Sequence, residues 1–296
     1  MTSEIKDDVR PAPATDPLAA DVPARRPQRP RRPPPRRVEV MSVSRLTPRL
    51  VSVRLSGQAL AGFQVEAPTS HIKVFLPAPG QAAPTLPQAG PRGQVWPDDA
   101  SRPAVRTYTP RRWDEAAGTL EVQFVIHDSG PASAWAEQAR TGDQLAVRGP
   151  GGRFRVDATV EHWWIAGDES AVPAIATLLE ALPSSSTAEV HLEAAGPDDE
   201  IPLLSPAKAT ITWHHRRTPD AWGAELHEAA QNASIATGTH IWVACEAAAM
   251  RRIRTHLLAD RQVPASSLVT RGYWRLGTAN HPDHDYGDDT AQPPAR

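Results

Sequence analysis

The most constraining feature of the sequence is a change in its hydrophobic rhythm near Phe154. Before this residue, apolar and polar side chains alternate in short segments, a pattern typical of half-buried β-strands. The strand candidates are RVEVMSVSRL, LVSVRLSG, HIKVFLP, AVRTYT, TLEVQFVIHD and QLAVRGP. One helix-length segment, PASAWAEQA, interrupts them. The pattern predicts a six-stranded antiparallel barrel with one inserted helix.

After Phe154 the strand candidates are separated by segments with helical periodicity. The strand candidates are HWWIAG, AEVHLEAAG, TITWHHR, HIWVACE and LVTRGYWRLG. The helix candidates are VPAIATLLEAL, a segment from Ala221 to about Ala230, and AAAMRRIRTHLLADR. Alternating strands and helices predict a parallel sheet with both faces covered. The fold class is therefore a β-barrel followed by an α/β domain.

Composition separates both ends of the chain from this globular part. Residues 1–37 are rich in Pro and Arg and end in RRPQRPRRPPPRR, which predicts a disordered arm. This arm is either a solubilising leader or a tether for an anionic partner. Residues 279–296 predict a disordered acidic tail. Between these two ends, the sequence patterns predict a barrel domain over 38–156 and an α/β domain over 157–278.

Charge and cysteine content exclude several classes of protein. Residues 1–37 have a charge balance of +4 within a net charge of −2, so the globular part is acidic and nucleic-acid binding is not expected. No segment has the length or apolarity of a membrane span or a secretory signal. The single cysteine excludes an internal disulfide. We therefore expect a cytoplasmic protein without membrane insertion.

The segment RTYT ends one of the barrel strand candidates. Arg106 and Tyr108 lie on one face of an ideal strand, where the guanidinium could bind a diphosphate and the ring could lie against a flat heterocycle. Twist at the strand end could bring Thr109 to a ring nitrogen of that heterocycle. The alternative is a polar strand end that only makes sheet pairs.

The segment HDSGPASAWA favours the cofactor interpretation. Gly130 and Pro131 suit a helix start, and the free amides of Ala132 and Ser133 would form an anion site there. The Ser133 hydroxyl would be a further donor to the anion. His127 could hydrogen-bond a phosphate or a ribose, or it could pack at the barrel rim.

Six blocks in this order resemble the siderophore-interacting protein family. The blocks are RTYT, FVIHDSGPASAWA, GDQLAVRGPGGRF, WWIAGDESAVPAI, WVACEAAAMRRIRTHL and GYWRLG. The family comprises FAD-dependent ferric-siderophore reductases with a ferredoxin-reductase-like fold, and the resemblance spans about Val38 to Gly277. It implies that Arg106, Tyr108 and Thr109 hold the flavin. It also implies that the block containing His127 and Gly130 to Ser133 cradles the FAD diphosphate.

The resemblance makes the second domain an NAD(P)H-binding domain. The segment AGDES follows a strand and opens a helix, so Gly167, Asp168, Glu169 and Ser170 would form the dinucleotide turn. The two acids would repel a diphosphate, and they more plausibly cap the helix or bind ribose hydroxyls. Arg216 ends a strand and could pair with a 2′-phosphate, or it could belong to a solvated basic pair with Arg217. NADPH is the favoured donor and NADH the alternative.

Two further blocks at strand ends carry cofactor-binding candidates. Cys245 occupies a position where the family usually has glycine, and Cys245 and Met250 match the spacing of the CGPxxM motif of the wider superfamily. Cys245 and Glu246 could therefore lie near the nicotinamide, or Cys245 could be a small buried hydrophobe. Trp274 could cover the flavin or pack at the domain interface.

The resemblance implies a reductase that takes electrons from NAD(P)H through FAD and releases iron as Fe(II) from an imported ferric siderophore. The flavin carries the chemistry, so no catalytic side chain is expected. Arg111, Arg112 and Arg153 are candidates for attracting an anionic siderophore. A metal site formed by His281, Asp283 and His284 is not expected because the tail provides no rigid frame.

Three alternatives stay open from the sequence. The acceptor could be a quinone or free flavin, because the motifs bind cofactors rather than the acceptor. The chain could also be a siderophore carrier without activity. Finally, a ferredoxin could replace NAD(P)H as the electron donor.

Overall fold

The structure is a computed structural model and describes residues 33–90, 93–97, 102–127, 130–218, 220–282 and 285–287. The elements described before Phe154 are β1 (Arg36–Thr47), β2 (Leu50–Ser56), β3 (His71–Leu76), β4 (Gln88–Gly90), β5 (Gly93–Val95), β6 (Ala104–Tyr108), β7 (Pro110–Asp114), β8 (Thr119–Val125), α1 (Pro131–Gln138) and β9 (Gln144–Gly151). Strands β4 and β5 form a separate hairpin. The others form one antiparallel sheet.

This sheet has seven strands in the order β6-β3-β9-β1-β2-β8-β7, so the prediction of six strands was wrong. The missing strand is β7, whose sequence PRRWD lacks apolar alternation and begins with proline. A proline is tolerated as the first residue of an edge strand because its missing N–H breaks no ladder there.

Strands β6 and β7 close the sheet into a barrel. They lie at opposite ends of the strand order, yet only Thr109 separates them in the chain. The polypeptide therefore passes directly from one edge of the sheet to the other. The interior is filled by inward-pointing apolar residues such as Val53, Leu55 and Phe124, all fully buried. Tyr108 and Thr109 lie at this crossing point.

The second half of the described chain is a five-stranded parallel sheet, as the sequence predicts. Its elements are β10 (His162–Asp168), α2 (Val172–Ala181), β11 (Thr187–Ala194), β12 (Lys208–His215), α3 (Ala224–Asn232), β13 (His240–Glu246), α4 (Ala247–Thr255) and β14 (Leu268–Trp274). The strand order is β12-β11-β10-β13-β14. Helix α2 packs on one face of the sheet, and α3 and α4 pack on the other.

Polar contacts hold the barrel against the sheet domain. The backbone N–H of Thr69 donates to the Thr177 hydroxyl on α2 at 2.9 Å. The Arg111 guanidinium on β7 makes two hydrogen bonds with Glu180 of the same helix. Because α2 begins after a short turn from β10, these contacts link the barrel to the helix that follows the carboxyl end of that strand.

The structure describes only parts of the two predicted disordered ends. Residues 1–32 lie outside the described residues, and β1 begins at Arg36, inside the predicted arm. In the tail, Asp285 pairs with Arg251 and His281, and its carbonyl accepts from the N–H of Gly272 on β14. Asp283 and His284 lie outside the described residues. Within the described residues, no cluster of His, Cys, Asp and Glu could hold a metal ion.

Candidate functional site

The end of β6 presents a ring and a cation on one face. Arg106 lies opposite Val74 and Tyr108 lies opposite Ile72 on β3. Thr107 faces the other way, and its hydroxyl accepts from the Lys73 ammonium at 2.7 Å. The Arg106 guanidinium donates to the Val105 carbonyl at 2.9 Å, which orients it along the strand.

The Tyr108 ring rests on the barrel core. Its centroid lies 4.4 Å from that of the fully buried Phe124. Burial raises the pKa of the Tyr108 hydroxyl, an effect that nearby Arg106 partly opposes. The ring is therefore neutral, half-buried and held from below, and it can support a flat heterocycle on its other side. Thr109 is half-buried beside it, between β6 and β7.

A glycine shapes the start of α1. Gly130 has φ 109° and ψ 144°, a conformation that side chains rarely adopt. A Cβ at this position would lie 3.2 Å from the His127 ring. Pro131 is the first helical residue, and Ala132 packs into the barrel core. Because Gly130 has no side chain, the backbone at the start of α1 is left exposed.

Ser133 has a different role from the predicted one. Its side chain is only 2% exposed. Its hydroxyl accepts from the His127 N–H at 2.8 Å and donates to the His127 carbonyl at 2.7 Å. The hydroxyl therefore fastens the loop before α1 and is not offered to an anion, while the exposed His127 ring lies beside Gly130.

The two barrel segments form one cradle. Trp135 of α1 contacts Phe124 at 5.5 Å between ring centroids, and Phe124 contacts Tyr108 of β6. This shared contact with Phe124 places α1 beside β6, the strand that carries Arg106. A guanidinium and a helix N-terminus suit a diphosphate, and a supported ring suits an isoalloxazine. These residues fit a flavin dinucleotide.

At the sheet, Gly167 permits close approach of helix and strand. A Cβ there would lie 2.7 Å from Ala171 and from Ile175, and 2.8 Å from the carbonyl oxygen of Ala244. The glycine is therefore required for packing α2 onto β10. Of the predicted turn, Gly167 and Asp168 belong to the end of β10, and Ser170 is half-buried two residues before α2.

Asp168 joins three strand ends. One carboxylate oxygen accepts from the Glu246 N–H at 2.9 Å and from the Trp274 indole N–H at 2.8 Å. The other accepts from the N–H and hydroxyl of Ser170. Burial, with a contribution from Glu169, raises the pKa of Asp168 to about 6. Asp168 is only 1% exposed in this network, where its carboxylate accepts from protein donors just before α2, as in the capping alternative of the prediction.

Glu169 and Arg216 bind each other. The guanidinium donates to both carboxylate oxygens, at 2.8 and 2.6 Å. It also lies 3.6 Å from Glu193 and stacks on the Trp222 ring at 3.8 Å from the centroid. The exposed side-chain fractions are 6% for Arg216 and 11% for Glu169. The residue predicted to meet a 2′-phosphate is thus already paired.

The remaining predicted residues of this edge also have protein partners. Cys245 is fully buried, and burial raises the pKa of its thiol well above the ordinary value. Glu246 caps α4 by accepting from the N–H groups of Ala248 and Ala249. Trp274 contacts Trp222 edge to face, with 4.6 Å between ring centroids.

Sequence reasoning missed Glu193 and Trp222. Glu193 lies at the end of β11 and is fully buried; its Oε1 accepts from the Gly223 N–H, and its Oε2 is a buried atom without a protein partner. An acid at the end of the second strand is a known feature of dinucleotide sites, and this strand-end position could have revealed it. No sequence signal marks Trp222.

A basic cavity of about 710 Å³ lies at the free edge of β14. Its lining includes Arg153, Phe154, Arg254, Thr270, Arg271 and Tyr286. The Arg271 guanidinium lies 4.1 Å from the centroid of the Tyr286 ring, and burial lowers its pKa. Of the three arginines that the sequence nominated for an anionic substrate, Arg153 lines this cavity, whereas Arg111 is paired with Glu180.

Sequence models of two protein domains match the chain. Residues 39–154 match the siderophore-interacting FAD-binding domain, and residues 160–277 match the siderophore-interacting protein domain. The match boundaries coincide with the barrel and the sheet domain of the structure.

Two curated relatives have named activities. The chain is 30% identical over 255 residues to the ferric vibriobactin reductase ViuB of Vibrio cholerae, covering 85% of this chain and 93% of the relative. It is 39% identical over 147 residues to the NADPH-dependent ferric-chelate reductase of Escherichia coli, covering 50% of this chain and 57% of the relative.

Solved structures show the same fold. A siderophore utilization protein from T. fusca matches with a TM-score of 0.75 and 34% identity, covering 86% of this chain and 98% of that chain. The ferredoxin reductase of carbazole 1,9a-dioxygenase matches with a TM-score of 0.60 and 17% identity, covering 81% and 67% of the two chains. The second match shows the ferredoxin-reductase-like fold alone. In the described residues, no helix combines the length and apolarity that a membrane crossing requires.

Proposed function

Because the chain belongs to the siderophore-interacting protein family, we propose that it is an FAD-dependent ferric-siderophore reductase. The observation that carries this proposal is the cradle formed by Arg106 and Tyr108 of β6 and the glycine-opened start of α1. The names of the Vibrio and Escherichia relatives support a ferric chelate as the substrate. When bound, FAD would accept two electrons from its donor as hydride and pass them on to the acceptor one at a time.

The side chains of this protein bind and orient in the proposed reaction. Arg106 and the start of α1 would neutralise the diphosphate, and Tyr108 would support the ring. The Tyr108 hydroxyl stays protonated because burial raises its pKa, so it contributes no charge. No acid, base or nucleophile is required of the protein, since reduction to Fe(II) by itself weakens the hold of hard oxygen ligands on the metal.

The basic cavity supports an anionic acceptor. Arg153 and Arg271 bring positive charge to the edge of β14, which would raise the local concentration of an anionic ferric chelate. We therefore place siderophore docking at this cavity. On this view, Arg153→Gln lowers kcat/KM for an anionic ferric chelate and leaves reduction of the flavin by its donor unchanged.

A nicotinamide dinucleotide is the proposed electron donor. NADPH is the donor that the sequence favours and that the name of the Escherichia relative states. A ferredoxin is the alternative donor. The predicted cytoplasmic location stays a prediction.

The first test is the visible spectrum of the FAD-loaded protein under anaerobic conditions. Addition of NADH or NADPH should bleach the flavin bands, and a ferric triscatecholate should then restore them while a ferrous-specific chelator traps Fe(II). Faster reoxidation by a quinone or by free flavin than by any ferric siderophore would contradict the proposed acceptor. Failure to bind FAD at all would favour the carrier alternative.

A further inference from the structure

The carboxyl ends of β10, β11 and β12 form the edge where a dinucleotide would bind. In open α/β sheets, ligands lie outside the carboxyl ends of the strands, next to the point where the strand order reverses. Strand β10 lies at this point, between β11 and β13. Arg216 follows β12 directly, and its N–H donates to the carbonyl of Ala194, the last residue of β11. The adenosine ribose, whose 2′-phosphate distinguishes NADPH from NADH, would therefore approach Arg216.

Glu169 accepts hydrogen bonds from the two guanidinium nitrogens of Arg216 that a 2′-phosphate would need as donors. Two parallel hydrogen bonds between a guanidinium and a carboxylate are charge-assisted and roughly twice as strong as neutral ones. Here they are 2.8 and 2.6 Å long and largely buried. Trp222 covers one face of the guanidinium at 3.8 Å. A phosphate could reach this cation only by displacing Glu169.

Charge at this edge also opposes a 2′-phosphate. Three acidic side chains, those of Asp168, Glu169 and Glu193, interact electrostatically with the single guanidinium of Arg216. Although Glu193 is partly protonated near pH 7, the other two carboxylates alone outweigh the guanidinium. The neighbouring Arg217 is itself paired with Glu225 and Glu228. A phosphate monoester with a charge of about −1.5 to −2 would face a net negative group, whereas a ribose hydroxyl can donate to a carboxylate.

We propose that Glu169 determines the choice of electron donor: by holding Arg216 it makes the protein discriminate against dinucleotides with a 2′-phosphate and favour NADH. This inference rests on the proposed function, because it concerns the donor of that reaction. Glu169 is a positioning residue in this scheme, since it acts through Arg216.

The test compares two nucleotides that differ only in the 2′-phosphate. Binding of 5′-AMP and of 2′,5′-ADP to the FAD-loaded protein is measured by titration calorimetry. Wild type should bind 5′-AMP at least about 10-fold more tightly. Glu169→Gln should tighten binding of 2′,5′-ADP by about 10-fold and leave that of 5′-AMP within about twofold. Adding Arg216→Met to this variant should abolish the gain.

A matched control is Glu180→Gln, which removes the carboxylate of another Arg–Glu pair, at the barrel contact. It should leave both affinities unchanged. The wild-type preference tests the proposal without any variant, so an unfolded Glu169→Gln protein would not remove the test. Equal or tighter wild-type binding of 2′,5′-ADP overturns the proposal, as does failure of both nucleotides to bind.

The nucleotide-binding result and the proposed reductase function can fail independently of each other. A protein that prefers 5′-AMP but reduces no ferric siderophore keeps the inference and loses the proposed function. A protein that reduces ferric siderophores and binds 2′,5′-ADP more tightly loses only the inference.

Discussion

The proposed flavin site of the barrel and the carboxyl edge of the sheet use similar residue types in opposite ways. In the barrel, Arg106 and Tyr108 are half-buried and share one face beside a helix start. At the sheet edge, Arg216 and Glu169 bind each other, and Asp168 is surrounded by protein donors. An arginine at a strand end is therefore a ligand candidate only where the fold supplies no carboxylate for it.

The largest expected effect concerns the backbone of the barrel site. Gly130→Ala places a Cβ 3.2 Å from the His127 ring in a conformation that alanine avoids. The start of α1 must shift, so FAD affinity should fall by about 10- to 100-fold. Flavin fluorescence titration measures this change.

Gly118→Ala is the matched control for Gly130→Ala. Gly118 also has positive φ, but a Cβ there would meet nothing within 4 Å. FAD affinity should stay at the wild-type value. Equal losses in both variants would mean that general strain, and not the shape of the cradle, sets the affinity.

The second effect concerns Glu193, the buried acid at the edge of the sheet. Burial raises the pKa of Glu193 from 4.5 to about 7. The hydrogen bond from the Gly223 N–H and the nearby Arg216 oppose this shift, and Asp168 adds to it. The folded state therefore holds this proton more tightly than the unfolded chain does. The resulting stabilisation is complete below pH 4.5 and is lost as the pH rises through about 7.

Glu193→Gln should remove this pH dependence. The free energy of unfolding of wild type should fall by about 1–3 kcal/mol across that window, and that of the variant should fall less. Urea denaturation at pH 5 and pH 8 measures both slopes. An unchanged slope in the variant would assign the pH dependence to other groups, of which Asp168 is the first candidate because its pKa is raised in the same direction.

The smallest effect concerns the Arg111–Glu180 pair between barrel and α2. Glu180 is 36% exposed, so the pair is screened by water. Glu180→Gln should lower the free energy of unfolding by only about 0.2–1 kcal/mol and leave FAD affinity unchanged. Chemical denaturation checks the first value. A larger loss would show that this contact holds the two regions in register.

Contiguous segments were predicted well because their structure is local. The rhythm change near Phe154 indicates both sheets, and RTYT and GPAS each lie within one turn or strand end. Strand β7 was missed because its pairing with β8 and its place at the barrel edge, not its own pattern, make PRRWD a strand. The hydrogen bonds of the Ser133 hydroxyl were not predicted because its partner lies in the preceding loop, whose course the sequence does not reveal.

Alternation, glycine and proline are properties of neighbouring residues, and by themselves they determined the order of barrel and sheet and the start of α1 at Gly130 and Pro131. Only the tertiary structure decided what the charged residues bind. Glu169, Glu193 and Arg216 are distant in sequence and meet because parallel strands bring their carboxyl ends to one edge. Burial there removes water as a competing partner, so these charges pair with one another before any ligand arrives.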